Sequence, residues 1–371
     1  MNIIINALGP SKVKAGIGNY ITNLISELAL LDLENKYIIY ASAKNKQFYE
    51  TSNRNFIVKD IGIMGRNKFL RILWEQLVLP IKSLIIRADI LFSPGFVCPF
   101  IKTSKNVLVI HDMTFFSHPQ VHTFFKRIYF PFMIKRSIAR SEKIISVSYN
   151  TKNEILKYST AIKDDIVVTH LAANNISNIE IGDEKGFLEK KYNINGDFLL
   201  FVGMIEPRKN INLIIEALEE INDSEIKFVV VGQKGWMIKD LYEKISEKKL
   251  EDRILFTGFV PDDELQIFYK NAKIFLYPSL YEGFGIPVLE AMSAGCCVIT
   301  SNISSLPEVA GDAAILINPT KVEELKDAID LLLSNDNLRS ELIIKGFENC
   351  KKFSWKNTAE QTLNVFRELQ T

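Results

Sequence analysis

Short apolar runs alternate with longer helical patterns along the whole chain. In the first half these runs predict seven strands, several of them almost continuously apolar, as in parallel strands buried on both faces. The runs are residues 2–8, 36–42, 55–60, 89–94, 106–112, 143–148 and 165–171. The segments between them are long enough for crossover helices. The first half therefore predicts a parallel sheet covered by helices.

The same alternation begins again in the second half. Six further apolar runs predict strands, at residues 197–203, 227–232, 253–259, 273–279, 296–301 and 313–318. Helical patterns lie between them, and a last helix is predicted at 355–369. The repetition predicts an α/β protein with two consecutive doubly wound domains. The polar stretch 172–197 contains the boundary, which we place between residues 175 and 176, and the last helix is a candidate to pack back on the first domain.

Composition is consistent with two folded cores. The chain has 371 residues, of which 47% are hydrophobic and 24% charged, enough apolar material for two domains. The four cysteines show no metal-ligand spacing, which favours the reducing cytoplasm. The first apolar run is too short for a signal peptide, and nothing approaches the roughly 18 uninterrupted apolar residues of a spanning helix. We therefore expect a cytoplasmic protein that is not integral to a membrane.

The net charge of +1 hides an asymmetry between the halves. Residues 1–180 contain 23 Lys and Arg against 13 Asp and Glu, whereas residues 181–371 contain 22 against 31. Much of the basic excess lies on two predicted aromatic-rich helices, at 67–77 and 123–140. Such helices can rest on an anionic bilayer or hold a phosphorylated acceptor. Alternatively, their charges simply face solvent while the aromatic side chains turn to the core. No nucleic-acid-binding motif accompanies the charge, so nucleic acid is disfavoured as a partner.

In open α/β sheets, ligands bind beyond the carboxyl ends of the strands, and unusual sequences follow several of the predicted strands. After the first strand, Gly16 and Gly18 open a helix, where exposed backbone N–H groups suit phosphate. The third glycine of a dinucleotide fingerprint is missing, because position 21 is Ile, and no acidic residue follows a second strand at the expected distance. A plain turn explains the two glycines equally well.

Two adjacent cations, Arg208 and Lys209, stand just before another predicted helix, whose expected cap is Asn210 or Asn212. Cations at a helix start oppose the helix dipole, so both charges are expected to serve something else. A diphosphate fits, because Arg offers a planar fork and Lys a point charge. The alternative is a pair of solvated surface cations.

The stretch "LYEGFGIPVLEA", residues 280–291, places Glu282 and Glu290 eight positions apart around a sharp turn. Glu290 falls in or next to the first turn of the predicted helix, where it could merely compensate the helix dipole. Helix-dipole compensation does not explain Glu282, nor does it explain the glycines Gly283 and Gly285. Carboxylates accept hydrogen bonds from hydroxyl groups, so acids at both ends with cations nearby suit a nucleotide diphosphate sugar.

The motifs "VIHD", "GMIEPRKN" and "YPSLYEGFGIPVLEAMSAGCCVITSNISSLPEVAGDAAILINP" closely resemble the family 4 retaining glycosyltransferases of the GT-B fold. Within that family the bacterial polysaccharide mannosyltransferases are the most similar, and the resemblance is strongest at 198–319. It implies two Rossmann-like domains facing a central cleft, with residues 1–175 on the acceptor side and 176–371 binding the nucleotide sugar. The implied activity is hexose transfer, favouring mannose from GDP-mannose, onto a saccharide or lipid-linked saccharide acceptor in O-antigen or capsule synthesis.

The resemblance also assigns roles to individual residues. It implies that Glu282 binds the transferred sugar, Glu290 the ribose, and Gly18 approaches the diphosphate. The implied catalytic residues are His111, Arg208, Lys209 and Glu282, and the implied donor-binding residues are Gly16, Gly18, Val260, Phe284, Gly285, Ile286 and Glu290. Two departures from the family pattern are Ala15, where relatives often have another glycine, and "THLAANN", which leaves Asn174 and Asn175 unassigned.

The resemblance implies a front-face mechanism in which the departing diphosphate accepts the proton of the incoming hydroxyl. No D-x-D sequence occurs, so we expect no metal and no cofactor. Without the resemblance, His111 beside Asp112 would be interpreted as a structural pair. A UDP-sugar donor, a sugar-nucleotide epimerase and a non-catalytic nucleotide-sugar-binding subunit remain alternatives, and the broken glycine fingerprint disfavours an oxidoreductase. Contact with the inner face of the plasma membrane is left open.

Overall fold

A computed structural model describes residues 1–9, 16–65, 67–174, 182–221, 223, 225–235 and 239–370. The chain divides into two compact units. The N-terminal unit comprises Met1–Leu171 with Ser354–Thr371, and the C-terminal unit comprises Ala172–Phe353. The predicted domain boundary, between residues 175 and 176, lies outside the described residues.

The N-terminal unit contains a seven-stranded parallel sheet. Its strands are β1 (Asn2–Asn6), β2 (Lys36–Ala41), β3 (Phe56–Asp60), β4 (Ile90–Ser93), β5 (Lys105–Ile110), β6 (Lys143–Ser146) and β7 (Ile166–Val168), in the order β3-β2-β1-β4-β5-β6-β7. Its first helices are α1 (Ile17–Leu31), α2 (Lys68–Leu73), α3 (Leu79–Ile86), α4 (Thr114–Ser117), α5 (Phe124–Ala139) and α6 (Tyr149–Tyr158). A π-helical turn, Trp74–Val78, joins α2 to α3.

The C-terminal unit contains a six-stranded parallel sheet. Its strands are β8 (Phe198–Val202), β9 (Lys227–Val231), β10 (Ile254–Gly258), β11 (Ile274–Tyr277), β12 (Val298–Ser301) and β13 (Ile315–Ile317), in the order β10-β9-β8-β11-β12-β13. Its helices are α7 (Glu184–Tyr192), α8 (Ile211–Glu220), α9 (Lys239–Glu247), α10 (Asp262–Asn271), α11 (Ile286–Ser293), α12 (Leu306–Ala310), α13 (Val322–Ser334) and α14 (Asp336–Cys350). A 3-10 turn, Pro207–Lys209, precedes α8.

The apolar runs form the strands because each sheet is covered on both faces. Every residue of β8 is buried, and Ile3, Ile4 and Ile5 of β1 have no exposed surface. Burying such side chains is the main favourable contribution to folding. All thirteen strands predicted from the sequence are confirmed, and so is the α/β fold with two doubly wound sheets.

Both sheets begin in the middle. In the N-terminal unit the chain moves outward from β1 to β3, then returns to the other side of β1 and continues from β4 to β7. In the C-terminal unit it moves from β8 to β10, then continues from β11 to β13 on the other side. The winding therefore reverses between β1 and β4 and between β8 and β11. At such switch points the loops after the two strands diverge and leave a crevice for a ligand.

The last helix, α15 (Trp355–Glu368), packs within the N-terminal unit. Phe366 is fully buried with its ring edge-on to Phe92, their centroids 5.3 Å apart. The Thr358 hydroxyl donates to the carbonyl oxygen of His170 at a distance of 2.6 Å. The N-terminal unit is therefore built from two separate stretches of the chain.

The two basic helical segments of the N-terminal unit expose many of their aromatic side chains. Phe69 is 71% exposed, and Phe124, Phe125 and Phe132 are 78%, 61% and 62% exposed. The interpretation that these aromatic side chains turn to the core is wrong for these four residues. Phe130 of the same segment does pack against the core.

Candidate active site

Two cations, Arg208 and Lys209, end the 3-10 turn that follows β8. The next residue, Asn210, has a left-handed backbone conformation with φ of 59°. Its side chain does not cap α8 but donates to the carbonyl oxygens of Pro278 and Pro319, 3.1 and 2.7 Å away. These two hydrogen bonds attach the turn to the loops after β11 and β13, and so hold the backbone that carries both cations.

Both cations point to the same carboxylate. Lys209 Nζ lies 2.7 Å from Glu282 Oε1, and Arg208 Nη1 lies 2.8 Å from Glu282 Oε2. A second carboxylate, that of Glu206, lies 2.7 Å from Arg208 Nη2. Lys209 and Glu282 are only 8% and 7% exposed, so the alternative of two solvated surface cations is wrong. We call Glu206, Arg208, Lys209 and Glu282 the charge cluster; its formal charges sum to zero.

Burial and the neighbouring cations shift the pKa of Glu282 in opposite directions. Burial raises the pKa of a carboxyl group, because the ionised form loses its hydration. The charges of Arg208 and Lys209 outweigh this effect and lower the pKa of Glu282 to about 2. The carboxylate is therefore ionised at neutral pH and holds the two cations in place.

A row of aromatic rings connects the charge cluster to the second predicted acid. Tyr277 accepts a hydrogen bond of 2.5 Å from Lys209 Nζ, which also lies 4.7 Å from the centre of its ring. Phe275 lies next to Tyr277 and Tyr269, with ring centroids 5.7 and 5.4 Å away. The Tyr269 hydroxyl donates to Glu290 Oε2 over 3.1 Å. Both ends of the row are therefore hydrogen-bonded to residues that the sequence singled out.

Glu290 lies next to the first turn of its helix and not within it. Helix α11 begins at Ile286, so Glu290 is in the second turn, and the first turn contains no acidic residue. The explanation by helix-dipole compensation is therefore wrong. Glu290 is 6% exposed, and its carboxylate accepts a hydrogen bond of 2.5 Å from Asn174 Nδ2. Burial raises the pKa of Glu290, opposed by the hydrogen bonds from Asn174 and Tyr269.

Two serines after β12 hold the loop that carries Glu282. The Ser304 hydroxyl accepts from the Glu282 backbone N–H at 3.0 Å and lies 2.6 Å from the Glu282 carbonyl oxygen. Ser305 donates to the carbonyl oxygen of Phe284 at 2.6 Å. Sequence reasoning missed these serines, Glu206, Tyr277 and the role of Asn174. Only the pairing of β12 with β11 places the serines beside the loop.

The other predicted donor-binding residues of this unit follow strands of the same sheet. Gly285 precedes α11 with φ of 116°, and a Cβ atom there would lie 2.8 Å from Leu306 Cδ2. The positive φ favours glycine here, and a larger residue would also have to displace the end of the Leu306 side chain. Phe284 is buried beside it, and Ile286 begins α11. Val260 is buried just after the edge strand β10 and does not belong to the charge cluster.

The N-terminal unit contains the remaining predicted residues. Gly16 precedes α1 with φ of 49°, and Gly18 is buried in the first turn of that helix. Residues 10–15, including Ala15, lie outside the described part of the chain, as does Asn175. The structure therefore confirms a glycine-opened helix here.

His111 follows β5, and its neighbour Asp112 does not orient it. His111 Nε2 lies 2.8 Å from the carbonyl oxygen of Pro94, whereas Asp112 Oδ1 accepts from the Thr114 backbone and hydroxyl. A carbonyl oxygen can only accept, so Nε2 carries the proton. Burial lowers the pKa of His111, partly offset by that hydrogen bond. The neutral imidazole therefore has its acceptor lone pair on Nδ1.

Within the described residues, no group of three or more His, Cys, Asp or Glu side chains is placed to hold a metal ion. Metal independence stays a prediction. No helix in the described part of the chain is both long and apolar enough to cross a bilayer.

Comparison with known proteins gives a consistent result. Residues 184–349 match the model of a family described as glycosyl transferases group 1. The chain is 29% identical over 384 residues to O-antigen chain mannosyltransferase B of Escherichia coli, covering 99% of this chain and 100% of that protein.

Solved structures share the fold. Sucrose-phosphate synthase from Thermosynechococcus elongatus superposes with a TM-score of 0.80 at 18% identity, covering 99% of this chain and 98% of that one. HepE from Anabaena, solved with UDP and glucose, has a TM-score of 0.75 at 16% identity, with coverage of 99% and 100%. These structures have the GT-B fold.

Replacing Glu282 by Gln should change how stability depends on pH. The pKa of this carboxyl is about 2 in the folded protein against an ordinary value of 4.5. Above pH 4.5 the ionised carboxylate therefore adds about 3 kcal/mol to the free energy of unfolding. This contribution is lost as the pH falls towards 2. Gln does not titrate, so the Glu282→Gln variant should lose less stability over this range. At pH 7 it should be about 3–5 kcal/mol less stable than the wild type, because the buried Lys209 loses its carboxylate partner and Arg208 keeps only Glu206.

Urea unfolding between pH 7 and pH 2.5 measures both effects. Glu323→Gln, at an exposed position on α13, is the matched control and should follow the wild-type curve. Parallel curves for the wild type and Glu282→Gln would show that the ionisation of Glu282 adds no pH-dependent stability, and coincident curves would show that its ion pairs do not stabilise the fold.

Proposed function

We propose that this GT-B glycosyltransferase, whose residues 184–349 match the glycosyl transferases group 1 family, transfers mannose from GDP-mannose, with retention, onto a saccharide acceptor of a bacterial surface polysaccharide. The similarity over its full length to an O-antigen chain mannosyltransferase supports the sugar and the pathway. The donor would bind at the switch point between β8 and β11.

The charge cluster is the observation that carries this proposal. Lys209 is buried and Arg208 half-buried just after the end of β8, where a ligand of an α/β sheet is expected. Buried cations are costly unless something compensates them, and here Glu282 and Glu206 do so. A cluster kept at this cost, with spare N–H groups on both cations, is suited to receive a diphosphate.

The remaining hydrogen-bonding capacity of the cluster fits a sugar diphosphate. Lys209 uses two of its three N–H donors, on Tyr277 and Glu282. Each Glu282 oxygen is bonded to one cation and has a further lone pair for a sugar hydroxyl. We assign the diphosphate to Arg208 and Lys209 and the transferred sugar to Glu282, near the Phe284 and Gly285 backbone.

Glu290 is assigned to the ribose. Its carboxyl is held by Asn174 and Tyr269 on one side of α11, which leaves it lone pairs for a vicinal diol. The helix start at Gly285 and Ile286 would face the phosphates. Val260 would contact the base through its main chain.

The proposed chemistry is front-face substitution at the anomeric carbon. The bond from that carbon to the diphosphate oxygen breaks, the acceptor oxygen bonds to the same face, and the leaving oxygen takes the acceptor proton. Negative charge grows on the diphosphate, and Arg208 and Lys209, already fixed by Glu282, stabilise it without reorganising. His111, as a neutral acceptor at Nδ1, would bind a hydroxyl of the transferred sugar.

We also propose that the N-terminal unit rests on an anionic bilayer. The helical stretch from α2 to α3 exposes a stripe of apolar residues at helical spacing. These residues are Phe69, Leu73, Leu77, Ile81, Leu84 and Ile85, each at least half exposed. Exposed cations lie on the same segment and on α5, among them Lys82, Arg127 and Lys135. An apolar face flanked by basic residues is typical of helices that bind a charged membrane surface.

Replacing Lys209 by Ala should lower turnover by about 10²–10³-fold, because one of two cations that stabilise the leaving group is lost. The measurement is release of GDP from GDP-mannose, with and without acceptor, together with thermal unfolding to check the fold. Lys351→Ala, at an exposed position on the same unit, should behave as the wild type. Transfer at a near-normal rate by Lys209→Ala would refute the assignment.

GDP-mannose should raise the melting temperature more than other nucleotide sugars do, because a ligand that binds only the folded state stabilises it. We would compare it with UDP-glucose, UDP-N-acetylglucosamine and NAD, and use Lys209→Ala as the protein that should not respond. If only a UDP-sugar raises the melting temperature, the donor would be that UDP-sugar and not GDP-mannose. Conversion of the donor to an epimer without acceptor would favour an epimerase instead.

Introducing two acids into the exposed stripe, Leu73→Glu with Leu77→Glu, should weaken binding to phosphatidylglycerol vesicles by at least tenfold. The acids oppose both the apolar burial and the anionic surface. The matched control is Leu331→Glu with Ile344→Glu, two exposed positions of the other unit. Co-sedimentation would measure binding, and equal sedimentation of both double variants would exclude this surface.

A further inference from the structure

Tyr277, the last residue of β11, contacts Lys209 in two ways. Its side chain is 1% exposed, and its hydroxyl accepts a hydrogen bond of 2.5 Å from Lys209 Nζ. The Lys209 ammonium also lies over the Tyr277 ring, 4.7 Å from its centre, where the negative face of the ring attracts a cation. Both the polar end and the apolar body of Tyr277 therefore act on the same charge.

The Tyr277 hydroxyl also connects Lys209 to its carboxylate partner. It hydrogen-bonds Glu282, and it must donate this bond, because an ionised carboxylate can only accept. Lys209 Nζ in turn donates to Glu282 Oε1 at 2.7 Å. Burial raises the pKa of Tyr277 well above its ordinary value of 10, so the hydroxyl keeps its proton. The three side chains thus form a closed triangle of hydrogen bonds.

The Tyr277 ring is held tightly in the middle of the sheet. It stacks with Phe201 of β8 and Phe275 of β11, with ring centroids 6.0 and 5.7 Å away. The backbone carbonyl oxygen of Tyr277 accepts a hydrogen bond of 2.8 Å from the Thr300 hydroxyl on β12. Lys209 lies on a short turn, whereas Tyr277 lies on a central strand. Groups carried by strands are placed more precisely than groups on loops, so Tyr277 can serve as the fixed point for Lys209.

The two hydrogen bonds of Lys209 determine the direction of its remaining donor. An ammonium group has three N–H donors at fixed angles, and Tyr277 and Glu282 occupy two of them. Glu282 alone would leave the ammonium free to rotate about a single hydrogen bond, and its other oxygen is bonded to Arg208. The Tyr277 hydroxyl supplies the second bond, which leaves the third N–H group with one direction.

The hydroxyl also favours the charged form of Lys209. Burial lowers the pKa of Lys209, and the charge of Glu282 opposes this effect. The other charged groups that face Lys209 are Arg208, which lowers the pKa further, and Glu206, which raises it. A hydrogen-bond acceptor on an ammonium group stabilises its protonated form. Loss of the Tyr277 hydroxyl should therefore lower the pKa of Lys209 further.

We propose that Tyr277 is a positioning residue, which fixes the ammonium group of Lys209 so that its third N–H group meets the leaving diphosphate. The inference rests on the proposed glycosyl transfer, in which Lys209 stabilises that leaving group. Tyr277 acts through Lys209 and not by touching the donor. Its effect on turnover should therefore disappear when Lys209 is absent.

Tyr277→Phe keeps the ring and removes the hydroxyl. The kcat for release of GDP from GDP-mannose should fall by about 10–100-fold with a much smaller change in KM, because a misplaced cation weakens transition-state stabilisation. The high-pH limb of the kcat profile, measured from pH 6 to pH 10, should move to lower pH by about one unit. Tyr49→Phe is the matched control and should behave as the wild type, because the fully buried Tyr49 hydroxyl has no hydrogen-bond partner within the described residues.

A double-mutant cycle distinguishes positioning from a general structural role. In the Lys209→Ala background, Tyr277→Phe should not lower turnover further, because the group through which it acts is missing. A further loss in the double variant that equals the loss in the single variant would overturn the proposal. Wild-type kcat and an unchanged pH profile in Tyr277→Phe would overturn it as well.

Urea unfolding without any donor separates this inference from the proposed function. At pH 7, Tyr277→Phe should be less stable than the wild type, because the buried ammonium group loses an acceptor. The ordinary pKa of Lys209 is 10.5 and burial lowers it, so this difference should shrink as the pH rises towards 10.5 and Lys209 loses its proton. A difference that does not change with pH would overturn the proposal. The expected pH dependence, together with no turnover of any nucleotide sugar by the wild type, would instead overturn the glycosyl transfer and leave the fixing of Lys209 by Tyr277 intact.

Discussion

The ion pairs of Glu282 with Arg208 and Lys209 are the interaction on which the C-terminal unit depends. Lys209 and Glu282 can be buried as ions because each oxygen of the Glu282 carboxylate meets one cation, and Glu206 meets Arg208 as well. This requirement explains the features around them. Asn210 holds the turn that carries the two cations, and Ser304 holds the loop that carries Glu282. The ring of Tyr277 lies beneath the ammonium group of Lys209. A site fixed in this way needs little rearrangement when a ligand arrives.

Sheet topology explains where the chemistry is placed. In both units the chain starts in the middle of the sheet, winds to one edge and returns to the other side. The loops after the two central neighbours therefore separate, and side chains from distant parts of the sequence meet there. Asn6 and Glu75 are brought together in this way in one unit, and Lys209 and Glu282 in the other.

The sequence predicted the strands well, because buried parallel strands are almost continuously apolar. It also singled out Arg208, Lys209 and Glu282, since cations before a helix and acids around glycines conflict with local preferences. Glu206 and Tyr277 could not be found in this way: an acid in a loop and a Tyr in a strand are both ordinary. Their roles depend on contacts between side chains: Glu206 binds Arg208, two positions away, and Tyr277 binds Lys209, 68 positions away. Asn174 likewise meets Glu290 across 116 positions.

Helix α15 has a consequence for how the protein is made. The N-terminal unit consists of two stretches of chain, and the C-terminal unit is one continuous stretch between them. A ribosome synthesises residues 172–353 before the stretch that supplies Phe366 to the core around Phe92. The inserted unit can therefore finish folding first, reversing the usual vectorial order in which the earlier-made domain matures first. Until then the growing chain carries an incomplete N-terminal core, the state in which it is most exposed to chaperones and proteases.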